Sequence, residues 1–416
     1  MTTLRPGPPP PAAPTSMLSL LRNLEFRILI ITQSLSIAGD QMARVALSVL
    51  VFDRTNSALQ AAIAYALTFV PAAIGGPLLN GLADRRPRRS VMIAADLARA
   101  PLIAIIAIPS LPIPVALIVL SIAGLFEAPF DAARASLLPD ILRGDRYTAG
   151  LASFQITIQV AQVGGFGLAG ILLVAWSPSI LLLIDAGSFL FSALFIARLV
   201  SYRPAAHIPK SERPAAWWTH ALADVRTSMD IVLRSPRVRS LAILAWSASL
   251  FTIGFEALGA PLARDSGAQH WTVGVLLATQ PLGTVIGAIF VVRIPRAARD
   301  RAMNLLAILC LAPLIGGLLE PPLWVMIVLG LLSGVGMSFS VLASSAFVQR
   351  IAPEVRGRAL GLVGSGLLVG QGLGVLLAGA IASVVDARAA VGILGLAGTA
   401  AVLMAVWDSS HAPAEK

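Results

Sequence analysis

The 416-residue chain is 57% hydrophobic and only 12% charged, with a net charge of +10, a balance that soluble globular domains do not have. At ~20 apolar residues per membrane crossing, the length holds about twelve helices and short loops. Three tyrosines and no apolar run of period two argue against an outer-membrane barrel, the single Cys310 excludes an internal disulfide, and four scattered histidines leave no metal or cofactor site to expect.

Residues 1–20 carry the run Pro8 to Pro11 and no signal-type apolar core, so a disordered cytoplasmic leader is expected, with Met17 as an alternative start. Apolar spans are predicted over 26–52, 57–82, 91–109, 112–135, 150–174 and 178–200, then 241–262, 271–293, 303–319, 322–348, 359–384 and 388–408. They divide into a six-helix bundle over 21–200 and a second over 241–408, with a short cytoplasmic tail at 409–416. The linker 201–240 places Trp218, Leu222, Val225, Met229 and Val232 at helical spacing, as in an amphipathic helix lying on the membrane or packed on the protein. Of the 31 Lys and Arg, Arg54, Arg264 and Arg388 fall in outward loops and Arg44 and Arg99 inside spans; the remaining 26 share one side. That asymmetry puts both termini in the cytoplasm and argues for a bilayer rather than nucleic acid as the partner of the positive charge.

The polar turn Asn80 to Arg89, wedged between two spans, must lie in water. It holds Asp84 with Arg85, Arg86, Arg88 and Arg89. The two halves also echo one another. Leu138-Pro139-Asp140, Arg143-Gly144-Asp145-Arg146 and the glycines 164, 165, 167 and 170 are answered by Ala352-Pro353-Glu354, Arg356-Gly357-Arg358 and the glycines 366, 370, 372, 374 and 379. Repeated halves about a pseudo-symmetry axis are the construction of alternating-access transporters.

The Asn80 to Arg89 turn resembles the loop 2–3 signature of the major facilitator superfamily, Gly-x-Leu-Ala-Asp-Arg-x-Gly-Arg-Arg, with Asn80 and Pro87 standing where that pattern has glycine. Together with Leu21 to Asp40, Asp96 to Ala100, Pro129 to Asp140 and Arg356 to Ala359, the chain is similar to the branch of twelve-span exporters that includes macrolide-efflux and enterobactin-export proteins. The resemblance implies an all-α integral membrane fold of two pseudo-symmetric six-helix bundles in the inner membrane. It also implies a central cavity lined by spans one, four, seven and ten, and a lock between Asp84 and the start of span eleven near Gly357. Gly164 to Gly170 is similar to the antiporter motif of that family, with Phe166 where proline is usual.

An ionised side chain at the bilayer centre costs at least ~2.5–3.5 kcal/mol, so acids within spans are candidates for function. They are Asp40, Asp96, Glu127, Asp131, Asp185 and Glu256. Glu127 lies roughly 13 Å from the inner end of its span, close to the middle of a ~30 Å hydrocarbon core; Arg134 is spaced to neutralise Asp131 and leaves Glu127 without a close cation in sequence, the condition for taking up a proton near neutral pH. Asp40 is spaced to pair with Arg44 on one helix face. Glu127, Asp40 and Glu256 are the proton-coupling candidates. Asp96 and Arg99, near the inner end of span three, are grouped with Asp84, Arg85, Arg88 and Arg89 as a cytoplasmic gate. Gln155, Gln159 and Gln162 make one polar stripe that either lines the cavity with Arg44 or joins helices.

The expectation is a monomeric secondary transporter, not an enzyme, exporting a small amphipathic organic compound against protons. An importer or facilitator of the same fold is the first alternative, and a non-transporting sensor or assembly factor the second. No Gly-x-x-x-x-Gly-Lys loop is present to power an ATP-driven pump.

Overall fold

The computed structural model describes residues 17–69, 71, 86–142, 145–204, 229–230, 232–233, 235–351 and 353–411. After a single turn at Met17–Leu20, α1 runs over Leu24–Thr55. Asn23 caps its start by accepting the Phe26 N–H at 3.1 Å, and Asn56, at φ 51°, ends it in the left-handed conformation that asparagine tolerates. Then follow α2 (Ala58–Ala66), α3 (Arg88–Ile106), α4 (Ile113–Leu125), α5 (Glu127–Ile141), α6 (Asp145–Leu172) and α7 (Pro178–Leu199). The second half comprises α8 (Pro236–Ala257), α9 (Gly259–Asp265), α10 (Trp271–Val291), α11 (Arg299–Leu311) with 3-10 turns on either side, α12 (Leu323–Met337), α13 (Phe339–Arg350), α14 (Pro353–Ala382) and α15 (Ala387–His411). Among the described residues there is no strand.

Among the described residues, ten stretches are long and apolar enough to cross a membrane. Two of the twelve expected spans are not among them. Most of span two beyond Phe69 lies outside the described residues, and α3, 19 residues long, carries Arg88, Arg89, Asp96 and Arg99. The linker is described only at its ends: Trp218, Leu222 and Val225 lie outside the described residues, whereas Val232 packs in a core cluster with Val238 and Leu241.

Spans four and ten are each expected as one helix and are each found as two. The breaks fall at Phe126, between α4 and α5, and at Ser338, between α12 and α13. Proline explains the first: Pro129 lacks an N–H, and its ring displaces the carbonyl four residues back, at Leu125. Pro261 does the same to Ala257 and separates α8 from α9. At Ser338 the preceding turn holds Gly334 and Gly336, and the Ser338 hydroxyl donates to the Val335 carbonyl at 2.6 Å.

The halves meet at the end of the bundle opposite the arginines. There a Cβ on Gly274 of α10 would lie 2.3 Å from the Gly170 nitrogen of α6, so both positions must be glycine for the two backbones to touch. Close by, Gly379 of α14 packs on Leu59 and Ala62 of α2, the Arg264 guanidinium lies 5.4 Å from the Phe52 ring centre, and His270 Nδ1 stands 3.7 Å from Asp53. Toward the arginine-rich end a cavity separates the halves.

Candidate functional site: a cavity between the two halves

The cavity measures about 510 Å³. Its walls differ in chemistry. The first half contributes Asp40, Arg44, Arg99, Glu127, Asp131 and Arg134. The second contributes leucines, alanines, phenylalanines and hydroxyls, with Glu256 as its one ionisable side chain among the described lining residues. The lining descends through Gln33, Arg134, Leu241, Phe347 and Leu360 toward the arginine-rich end.

Each expected cavity acid sits on a different element. Asp40 lies at the midpoint of α1. Its partner is not Arg44. Arg99 reaches across from α3 and donates from Nη2 to Asp40 Oδ1 at 2.7 Å, while its guanidinium stacks 4.1 Å from the Phe189 ring centre of α7. Arg44 donates to Gln41 Oε1 at 3.3 Å and covers the Phe69 ring at 4.6 Å. An i,i+4 spacing allowed the Asp40–Arg44 pair, but the convergence of α1, α3 and α7 offers a shorter contact that also stacks on an aromatic face.

Glu127 is the first residue after the Phe126 break, so its carboxyl emerges where the helix is discontinuous. Asp131 pairs with Arg134 at 2.9 Å, as the spacing suggested, and among the described residues neither a hydrogen bond nor an ion pair closes on Glu127. Glu256 accepts a 2.8 Å hydrogen bond from the Tyr65 hydroxyl of α2, a bond that crosses between the halves. Tyr65 was not singled out in the sequence; one of only three tyrosines, buried in an apolar span, it was the available signal.

Gln159 and Gln162 line the cavity; nothing is described of the Gln155 side chain. Of the expected gate, Asp84 and Arg85 lie outside the described residues. Arg88 pairs with Asp140 of α5, and Arg89 donates to the Ala197 carbonyl of α7, both within the first half. Asp96 is fully buried beside Ser192 and does not reach the cavity, whereas Arg99, grouped with it in the sequence, belongs to the cavity wall. Gln280, unremarked in the sequence, lines the cavity and donates to Ser333 Oγ at 3.0 Å, which in turn donates to the Cys310 carbonyl at 2.6 Å.

Two helical halves around a polar, asymmetric cavity are the architecture of alternating-access transporters, and sequence comparison agrees. A family model described as Major Facilitator Superfamily matches residues 29–317 and 241–416, so the chain belongs to that superfamily and is a multi-pass membrane transporter, not an enzyme. It is similar to the multidrug efflux pump Tap of Mycolicibacterium fortuitum, 24% identical over 83% of this chain and 86% of the relative. The enterobactin exporter EntS of Shigella dysenteriae serotype 1 is 27% identical over 88% and 87%, and macrolide efflux protein A of Streptococcus pyogenes 21% over 85% and 88%. Among solved structures, a bacterial homolog of the human lysosomal transporter Spinster superposes with TM-score 0.70 at 13% identity, over 93% of this chain and 96% of that one. A bacterial homologue of the iron transporter ferroportin gives 0.69 at 15%, over 95% and 99%.

Proposed function

We propose that this protein exports a small amphipathic organic compound in exchange for protons, by alternating access. The observation that carries the reading is the state of the cavity acids. Asp40 and Asp131 have arginine partners and Glu256 a phenolic one, while Glu127 faces the cavity without a partner at a helix break. A carboxyl so placed is inexpensive to keep neutral and costly to keep charged, the property a coupling site needs. The arginine-rich end is the cytoplasmic one by the positive-inside rule. With the opposite seam closed on Gly170 and Gly274, the cavity then faces the cytoplasm, the side from which an exporter loads. A charge-rich wall opposite a nearly uncharged one of apolar, hydroxyl and amide side chains suits an amphipathic substrate, and relatives named for efflux support export as the direction. The gate is assigned to Asp84, Arg85, Arg88 and Arg89.

The test is export of lipophilic cations, macrolides and siderophores from cells expressing the protein, repeated with a proton uncoupler and with Glu127→Gln. Export is expected to collapse under both. Uphill export that survives Glu127→Gln with no dependence on pH would overturn proton coupling through this residue.

A further inference from the structure

Behind the Asp40–Arg99 pair lies a second, smaller chamber of about 40 Å³, bordered by α1, α3, α4, α5 and α7 and by Thr68. Asp40, Arg44, Arg99 and Glu127 border both spaces, so the chamber and the cavity share one charged partition. Asp185 of α7 borders the chamber only. It is fully buried, its Oδ1 accepts one long hydrogen bond of 3.4 Å from Ser188, and its Oδ2 accepts none. The carboxyl is pressed against the backbone of α1, where a Cβ on Gly39 would come within 2.4 Å of Oδ1.

Charge counting in this chamber leaves a surplus. Three carboxyls, of Asp40, Glu127 and Asp185, face two guanidiniums, of Arg44 and Arg99. One helical turn toward the arginine-rich end, on α3, Asp96 adds a fourth buried carboxyl on which no hydrogen bond closes. Arg99 is already engaged by Asp40 and Phe189, and Arg44 by Gln41 and Phe69. A buried carboxylate with neither a cation nor donors on both oxygens takes a proton instead of remaining charged. Roughly one water fits in the chamber, whose lining Asp185 shares with Asp40, Arg44, Arg99 and Glu127.

We infer that Asp185 is a second proton-binding carboxyl, set apart from the substrate and exchanging its proton with Glu127 through the small chamber. This rests on the proton-antiport reading for its purpose but not for its chemistry. The substrate touches the partition and Asp185 does not touch the substrate, so a proton held there is stored out of the substrate's reach.

The experiment is infrared difference spectroscopy of the reconstituted full chain, read at the carbonyl stretch of protonated carboxyls and its shift in heavy water, across neutral pH. A protonated-carboxyl band is expected in the native protein and in Glu127→Gln, and its Asp185 component is expected to vanish in Asp185→Asn. Asparagine keeps the size and the Ser188 contact. If that variant does not fold, Ser188→Ala retains the carboxyl and is expected to shift the pH at which the band disappears. A spectrum unchanged by Asp185→Asn, or a titration unchanged by Ser188→Ala, overturns the assignment. Failure of antiport would appear in the flux assay and leave this band in place, so the two readings fail separately.

Discussion

At the scale of single residues, the Asp40–Arg99 contact is the one on which most of the site depends. The Arg99 side chain is 8% exposed and that of Asp40 25%, so water screens the pair weakly. Removing the cation leaves the Asp40 carboxylate facing Glu127 and Asp185 with Arg44 as the one guanidinium remaining on the described chamber lining. Arg99→Ala is expected to destabilise the protein by about 3 kcal/mol, the lower end for a broken buried pair because Asp40 retains some solvent. Thermal unfolding in detergent measures it, and adding Asp40→Asn should recover part of the loss. An Arg99→Lys variant retains the charge but loses the stack on Phe189, so recovery short of the native value is expected. Tyr65→Phe removes only the hydroxyl bonded to Glu256. It should leave folding nearly unchanged and weaken closure of the seam, read as faster labelling of cavity cysteines from the side opposite the arginines.

At the scale of elements, glycine and proline decide where helices touch and where they break. The seam between α6 and α10 exists because Gly170 and Gly274 leave no side chain between the backbones. Gly274→Leu would wedge it open. With Cys310 replaced by serine and a reporter at Ser340→Cys, which faces the cavity, the wedge should raise labelling by an impermeant maleimide from the seam side several-fold. Equal labelling in both backgrounds would mean that the seam is not the barrier. The last residue of α9 gives a pH prediction. Asp265 lies outside the spans, and burial first, then the neighbouring Asp386, raises its carboxyl above the ordinary range. The native state therefore holds this proton to higher pH than the unfolded chain, and the contribution to stability declines as pH rises above about 4. Asp265→Asn should accordingly raise Tm at neutral pH and leave it unchanged in acid.

At the scale of the whole molecule, the two halves are joined at one end by Gly170 and Gly274, Phe52 and Arg264, and Asp53 and His270. Cysteines at 53 and 270 joined by a short cleavable cross-linker should arrest transport with the cavity held toward the arginine-rich end, and cleavage should restore it. The two-half plan was legible in the chain itself. Membrane spans require long apolar runs, duplicated halves leave the same proline, glycine and arginine punctuation twice, and charge within lipid is costly, so Asp40, Glu127 and Glu256 are candidates on sequence alone. Arg134 was recognisable as the partner of Asp131 because both lie on one helix, three residues apart. Partners on different helices were not. Local spacing pointed Asp40 toward Arg44, and only the convergence of α1, α3 and α7 gave it Arg99. No sequence spacing relates Tyr65 to Glu256, 191 residues away. Asp185, Asp40 and Glu127 likewise come from three separate spans. Sequence determined what each helix could tolerate in lipid; which charges meet was decided by how the helices pack, because a side chain's partner depends on distances that the chain order does not contain.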